Sequence, residues 1–162
     1  MKLKHTKLQW AMEGITFIIL IVMFIYVITM WGNIPEKIPG HYNIAGEVDR
    51  WGNKSEILIY PIISLVLYTL LVIAARFPAI CNVPIRITDD NREFVYKNIK
   101  SMVIFLKMEL MIMFLYMMIS GLKMLLLGKW FIPIFIITQL CTLTYYLIKM
   151  YRGNKDLQKY KE

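Results

Sequence analysis

Residues that pin down soluble folds and catalytic sites are scarce in this sequence. Cysteine occurs twice in 162 residues, at Cys81 and Cys141, too few for a disulfide scaffold. Cys81 sits in a basic connection and Cys141 inside an apolar run, so both are expected to be free thiols. There are two histidines, and the 11 acidic residues are outnumbered by 19 basic ones. The sequence contains no His-Glu-x-x-His, nucleophile elbow or glycine-rich phosphate loop, and no apolar run carries a pair of carboxylates. Nor is there an internal repeat, a low-complexity tract or a Gly-x-x-x-Gly helix-pairing face. Polar surface is the greatest shortage: at 58% hydrophobic, too little remains to coat a soluble globule.

Long apolar runs are what the chain has instead. They cover residues 15–30, 57–75, 102–122 and 131–148, each near the roughly 20 residues that a helix needs to cross a hydrocarbon core. These runs predict an all-α membrane protein, one domain over 1–162, with four transmembrane helices at about 13–31, 56–76, 99–123 and 130–149. The first run is long for the apolar part of a signal peptide and is followed by Trp31-Gly32-Asn33-Ile34-Pro35, not a small-x-small cleavage site, so it is expected to be a retained span.

The net charge of +8 follows the membrane pattern, and no basic stripe of the kind that binds nucleic acid is present. Lysines and arginines number 3 before the first helix, 3 in 31–56, 5 in 76–100, 2 at Lys123 and Lys129, and 5 from Lys149 onward. The odd segments therefore hold 13 and the even ones 5, which by the positive-inside bias predicts cytoplasmic termini, a cytoplasmic 77–98 connection and an outer 32–55 loop. The expected location is the cell membrane, multi-pass. The tail from Tyr151 lacks apolar periodicity and is expected to be a solvated, lipid-surface-seeking end.

The outer loop mixes turn formers with aromatic and branched residues, a composition that predicts local order. Pro35 and Pro39 hold it extended, Ala45-Gly46 and Gly52-Asn53 are expected turns, and Tyr42, Ile44, Val48 and Trp51 are expected to pack on the helix mouths. Ser55 is the expected N-cap of the second helix, with Pro61 starting or bending it. His41, Asn43, Glu47 and Asp49 form the only dense group of ligand-type or proton-carrying side chains outside the apolar runs, and their spacing fits no standard zinc pattern. Hydrogen-bonded turn residues, partner contacts, and an acid–base pair of His41 with Asp49 are the open readings.

The stretch 35–54, with Ile38-Pro-Gly-His-Tyr-Asn43 followed by Gly46-Glu-Val-Asp-Arg-Trp-Gly-Asn-Lys54, closely resembles the hallmark loop of a bacterial membrane family of unknown function. The same domain occurs in SdpI-type bacteriocin immunity proteins. Asn82-Val-Pro-Ile-Arg-Ile-Thr-Asp-Asp-Asn91, Tyr96 and Leu106-Lys-Met-Glu109 are similar to the segment that this family carries between its second and third helices. SdpI-type members have further C-terminal helices without counterpart here. The resemblance implies a cell-membrane protein with a role in toxin immunity or toxin sensing. It also implies that His41, Tyr42, Asn43, Gly46, Glu47, Asp49, Arg50, Trp51 and Lys54 form the loop that meets a ligand or partner.

Within the apolar runs, Lys107, Glu109, Tyr116, Gln139 and Thr142 are the polar residues of interest, since an ionisable group at such depth must snorkel, pair or face a wet cavity. Lys107 is expected to snorkel toward the cytoplasmic surface, about 9 Å beyond Ser101. Lys107 and Glu109, two apart, cannot share a helix face. Glu109, Tyr116 and Ser120 form one stripe and Gln139, Thr142 and Tyr146 another, and antiparallel packing would bring Glu109 level with Thr142. The many methionines of the third run, from Met108 to Met124, are expected to fill gaps. Thr88 or Asp90 is the expected cap of the third helix.

Three functions follow as expectations. The first is a receptor or immunity-like protein whose outer loop contacts an extracellular toxin or peptide while basic inner segments meet a cytoplasmic regulator. The second is a transport or proton-coupled accessory protein using Glu109, Gln139 and Thr142. The third is a membrane-embedded enzyme using His41 and Asp49. Membrane lipids are expected partners, nucleic acid is not, and no cofactor or metal is implied.

Overall fold

The computed structural model describes residues 3–159; the first two residues and the last three, with the end of the expected solvated tail, lie outside the described residues. Four helices dominate: α1 (Lys7–Met30), α2 (Ile59–Arg76), α3 (Arg92–Leu122) and α4 (Phe131–Lys159). The segments Lys7–Asn33, Lys54–Arg76, Arg92–Leu122 and Phe131–Lys155 are each long and apolar enough to cross a membrane, as a multi-pass membrane protein requires.

The all-α expectation needs correction in the loop after α1. Strands β1 (Lys37–Tyr42) and β2 (Val48–Asn53) form an antiparallel hairpin there. The residues between them carry the turn chemistry of a hairpin tip, and the branched and aromatic residues on either side suit a pleated surface. Gly52 and Asn53, expected to turn the chain, lie inside β2. A short 3-10 segment, Lys54–Leu58, then leads into α2, and its cap is Asn53 and not Ser55.

Helix ends differ from expectation where polar residues continue a helix beyond its apolar run. α1 starts at Lys7 because Thr6 and Gln9 form a reciprocal capping box. α3 begins at Arg92, seven residues before the expected 99, and α4 continues through the expected tail to Lys159. Asn91, not Thr88 or Asp90, stands at the cap of α3, but its buried side chain bonds away from the helix end. Its Oδ1 accepts from the Thr88 amide at 2.8 Å, while Nδ2 donates to the Arg86 carbonyl at 2.8 Å and to Asn154 Oδ1 at 2.6 Å. This ties the α2–α3 connection to α4.

α3 is the central helix and packs on α1, α2 and α4. Contacts between Gln9 and Ser101, Phe17 and Tyr68, and Asn91 and Asn154 show that α1 and α3 run parallel and that α2 and α4 run opposite to them. Leu3 and Asn154 therefore share one end of the bundle, with the hairpin at the other. Each end has its own apolar cluster. At the terminal end Met12, Ala75, Val95, Ile99, Ile104 and Met150 are buried together. At the hairpin end Met23, Val27 and Met118 from the helices enclose Ile34, Ile38 and Ile57. Ile38 and Ile57 are wholly buried, and each contributes on the order of 1.5–3 kcal/mol to holding the hairpin down.

Candidate functional site

The hairpin is tied at its base, middle and tip. At the base Lys54 Nζ donates to Glu36 Oε1 at 2.7 Å and the Lys54 amide to the Glu36 carbonyl at 3.0 Å. In the middle Arg50 forks onto Glu56, with Nη2–Oε2 at 2.7 Å and Nη1–Oε1 at 3.2 Å, while Nη2 also donates to the Gly40 carbonyl at 2.7 Å. That hydrogen-bonded carboxylate holds the Arg50 guanidinium above its ordinary pKa. A Cβ on Gly40 would stand 2.9 Å from the guanidinium, so glycine makes room for it. The irregular register around His41, where Gly40 and Asp49 fall between paired positions, is the local bulging that lets the fork reach across.

At the tip Asn43 organises the turn. Its Oδ1 accepts from the Glu47 amide at 3.0 Å, its Nδ2 donates to Glu47 Oε2 at 3.2 Å, and its carbonyl accepts from the Gly46 amide at 2.9 Å. Gly46 has φ +76°, and a Cβ there would lie 2.6 Å from the Gly128 carbonyl oxygen. The tip is thereby pressed against the α3–α4 connection, where the Leu127 amide donates to the Gly46 carbonyl at 2.9 Å. Tyr42 Oη donates to the Leu125 carbonyl and Tyr116 Oη to that of Leu127, both at 3.1 Å. Burial pushes the Tyr42 phenol up to about 12. Tyr116 also stacks on Phe131 at 4.5 Å.

Tyr42, Asn43, Gly46, Glu47, Arg50 and Lys54 of the expected loop site all make contacts that hold the hairpin in shape. The remainder is surface. Val48 is half-buried, but Ile44 is 79% and Trp51 55% exposed, so the expected packing of these two on the helix mouths is overturned. They point away because Ile38 and Tyr42 fill the inward positions of β1. His41 and Asp49 do meet, Nδ1 to Oδ1 at 2.6 Å, with side chains 64% and 43% exposed. A contact so open to water holds the ring's orientation more than it stabilises the fold. Among the described residues no group of three or more His, Cys, Asp or Glu side chains is arranged to hold a metal.

The intramembrane residues fall on two faces of α3. Glu109 faces α4 and accepts from Gln139 Nε2 at 2.8 Å and Thr142 Oγ1 at 2.5 Å, the pairing expected from the stripes. Lys107 faces α1 and does not snorkel. Its side chain has no exposed surface, and Nζ donates to Glu13 Oε2 at 2.5 Å while lying 4.7 Å from the Tyr68 ring centre. Lys107 is turned into the bundle, where Glu13 of α1 and Tyr68 of α2 enclose its ammonium, so its stem does not run out to water. Glu13 is the partner of Lys107 that sequence reasoning missed. The signal was there: Glu13 and Lys107 are opposite charges stranded in different apolar runs, which is how intramembrane charges pair.

Residues 18–65, which run from α1 through the hairpin into α2, match the family model described as Domain of unknown function (DUF1648). An uncharacterised protein from Archaeoglobus fulgidus is 26% identical over 82 residues, covering 46% of this chain and 45% of that protein. The chain thus spans about half the length of this curated relative. No solved structure matches. The similarity to the unknown-function family is therefore concentrated on the element that carries the tethered hairpin.

Proposed function

We propose that the protein is a receptor or immunity-like protein of the cell membrane, displaying the hairpin outside and binding an extracellular peptide on its exposed face. The observation that carries this reading is what remains once every structural contact of the hairpin is assigned. Ile44, Trp51 and the His41–Asp49 pair stand on the surface of a rigidly tethered element and support nothing beneath it. Tryptophan is among the residues most enriched at binding hot spots, and Trp51 leaves 55% of its surface open to a partner. A scaffold fixed at three levels removes most of the ordering cost of association. The distribution of lysine and arginine supports an outward hairpin, with the α2–α3 connection inside to meet a cytoplasmic regulator. The resemblance of 35–54 to the loop of SdpI-type immunity proteins supports a peptide toxin as ligand.

The other readings have less support. Glu109 is engaged by two donors from α4, an arrangement suited to fastening helices. His41 and Asp49 are within acid–base reach but stand in open solvent without a nucleophile beside them.

The test is survival of cells exposed to a membrane-active peptide toxin of the SdpI-countered class, with and without this protein. Protection that falls at least tenfold in Trp51→Ala and Ile44→Ala, at unchanged membrane levels, supports the reading. Protection that is absent in the wild type, or indifferent to both substitutions, refutes it.

A further inference from the structure

A cleft of about 830 Å³, within the size range of small-molecule sites, lies between α1 and the C-terminal half of α2, at the end of the bundle away from the hairpin. Neither the hairpin nor the Glu109 contacts take part in it. Its wall is low at Gly14, where nothing lies within 4 Å of a would-be Cβ. The Phe17 and Tyr68 rings, 6.3 Å apart, close its deep end. From Arg76 to Tyr68 is eight residues, about 12 Å along α2, so the cleft reaches somewhat less than half of a roughly 30 Å hydrocarbon core. Phe17 and Phe77 beside it are about half exposed, toward what is lipid in a membrane-spanning bundle.

Within the cleft Glu13 is matched by Lys107. Arg76 and Lys100 also line the cleft, Lys100 with only 4% of its surface exposed. Lys100 Nζ donates to the Leu3 carbonyl at 2.8 Å and to His5 Nδ1 at 3.1 Å, which leaves one of its three donors unused. Burial and the Lys100 ammonium hold His5 below its ordinary pKa, consistent with a neutral ring that accepts that proton. Arg76 makes no hydrogen bond or ion pair among the described residues, so all five of its donors are open. A largely apolar crevice lined by two cations complements an amphiphile with an anionic head.

We propose that this cleft is a binding site for one anionic phospholipid of the surrounding leaflet. The phosphate sits between Arg76 and Lys100, and an acyl chain passes Gly14 down to the Phe17–Tyr68 pair. The apolar walls, not the cations, select a lipid over a free anion. This inference does not depend on the function proposed for the hairpin.

Native mass spectrometry of the full chain in detergent, titrated with phosphatidylglycerol, phosphatidylcholine or inorganic phosphate, tests it. The expected result is one phosphatidylglycerol retained in preference to phosphatidylcholine, with inorganic phosphate unable to displace it. Arg76→Gln should weaken phosphatidylglycerol binding about fivefold, the worth of one cation near an anionic surface. Gly14→Leu, which fills the crevice, should weaken both lipids. Displacement by phosphate, equal retention of the two lipids, or Arg76→Gln binding as wild type does would overturn the proposal. Arg76 is exposed, so that variant decides the matter even if Gly14→Leu does not fold.

Discussion

Replacing Glu13 by Gln leaves the Lys107 ammonium without an anion in a setting where its side chain has no exposed surface. Breaking a buried ion pair from one side costs about 3–5 kcal/mol, because the remaining charge stays desolvated. The substituted amide still offers a neutral acceptor and the Tyr68 ring stays 4.7 Å away, so the lower half of that range is expected. For a chain of this size about 3 kcal/mol corresponds to a fall in melting temperature of roughly 6–12 °C. Lys107→Met should cost less, because the Glu13 carboxylate is 16% exposed and borders the cleft, where water can reach it. The double variant Glu13→Gln with Lys107→Met removes both charges, leaves no ion desolvated, and should recover most of the loss. Melting of the four proteins in one detergent, followed by tryptophan fluorescence, gives the cycle. A Glu13→Gln protein that melts with the wild type, or a double variant no better than the sum of the singles, would refute the pairing argument.

Other consequences are sharper in sign than in size. Gly46→Ala places a Cβ against the Gly128 carbonyl at φ +76°, and should cost about 1–3 kcal/mol and expose the hairpin to limited proteolysis, whereas Gly32→Ala, which meets open space, should not. Glu109→Gln keeps an acceptor for Thr142 and should leave stability within about 1 kcal/mol of wild type, while Glu109→Ala strands two donors at a cost of about 1–3 kcal/mol; protection lost in Glu109→Gln with normal insertion would instead favour a proton relay. Tyr42 should ionise near pH 12 by phenolate absorbance. Because the native state holds it neutral while an unfolded tyrosine ionises near 10.0, its contribution to stability should diminish as pH rises above that value, an effect absent in Tyr42→Phe.

The four spans were legible because apolar length is a strong constraint, and the Glu109–Thr142 contact because stripe and depth could both be counted from the helix repeat. Boundaries were less so. Lys7 and Arg92 lie in polar sequence, and only the Thr6–Gln9 box and the cluster around Asn91 show that helix continues there. The snorkelling expected of Lys107 fails for a different reason: its partner Glu13 lies in another apolar run, 94 residues away in sequence. The sequence predicts an ordered loop but not its strands, since Pro35, Pro39 and three glycines hide the alternation of Ile38, Gly40 and Tyr42. The residues of the loop motif were recognisable as a group. Which of them hold the fold and which face outward depended on Gly128 and Leu125, some 80 residues away, and no local pattern carries that information.

The central claim is that a tethered hairpin stands outside the cell with Ile44 at its open tip. In a chain with Cys81 and Cys141 replaced by Ser, a single Ile44→Cys tests it by labelling intact cells with a membrane-impermeant maleimide. The account predicts labelling without permeabilisation, while a lone Cys81, in the α2–α3 connection, labels only after it. Labelling of Ile44→Cys solely in permeabilised cells would contradict it.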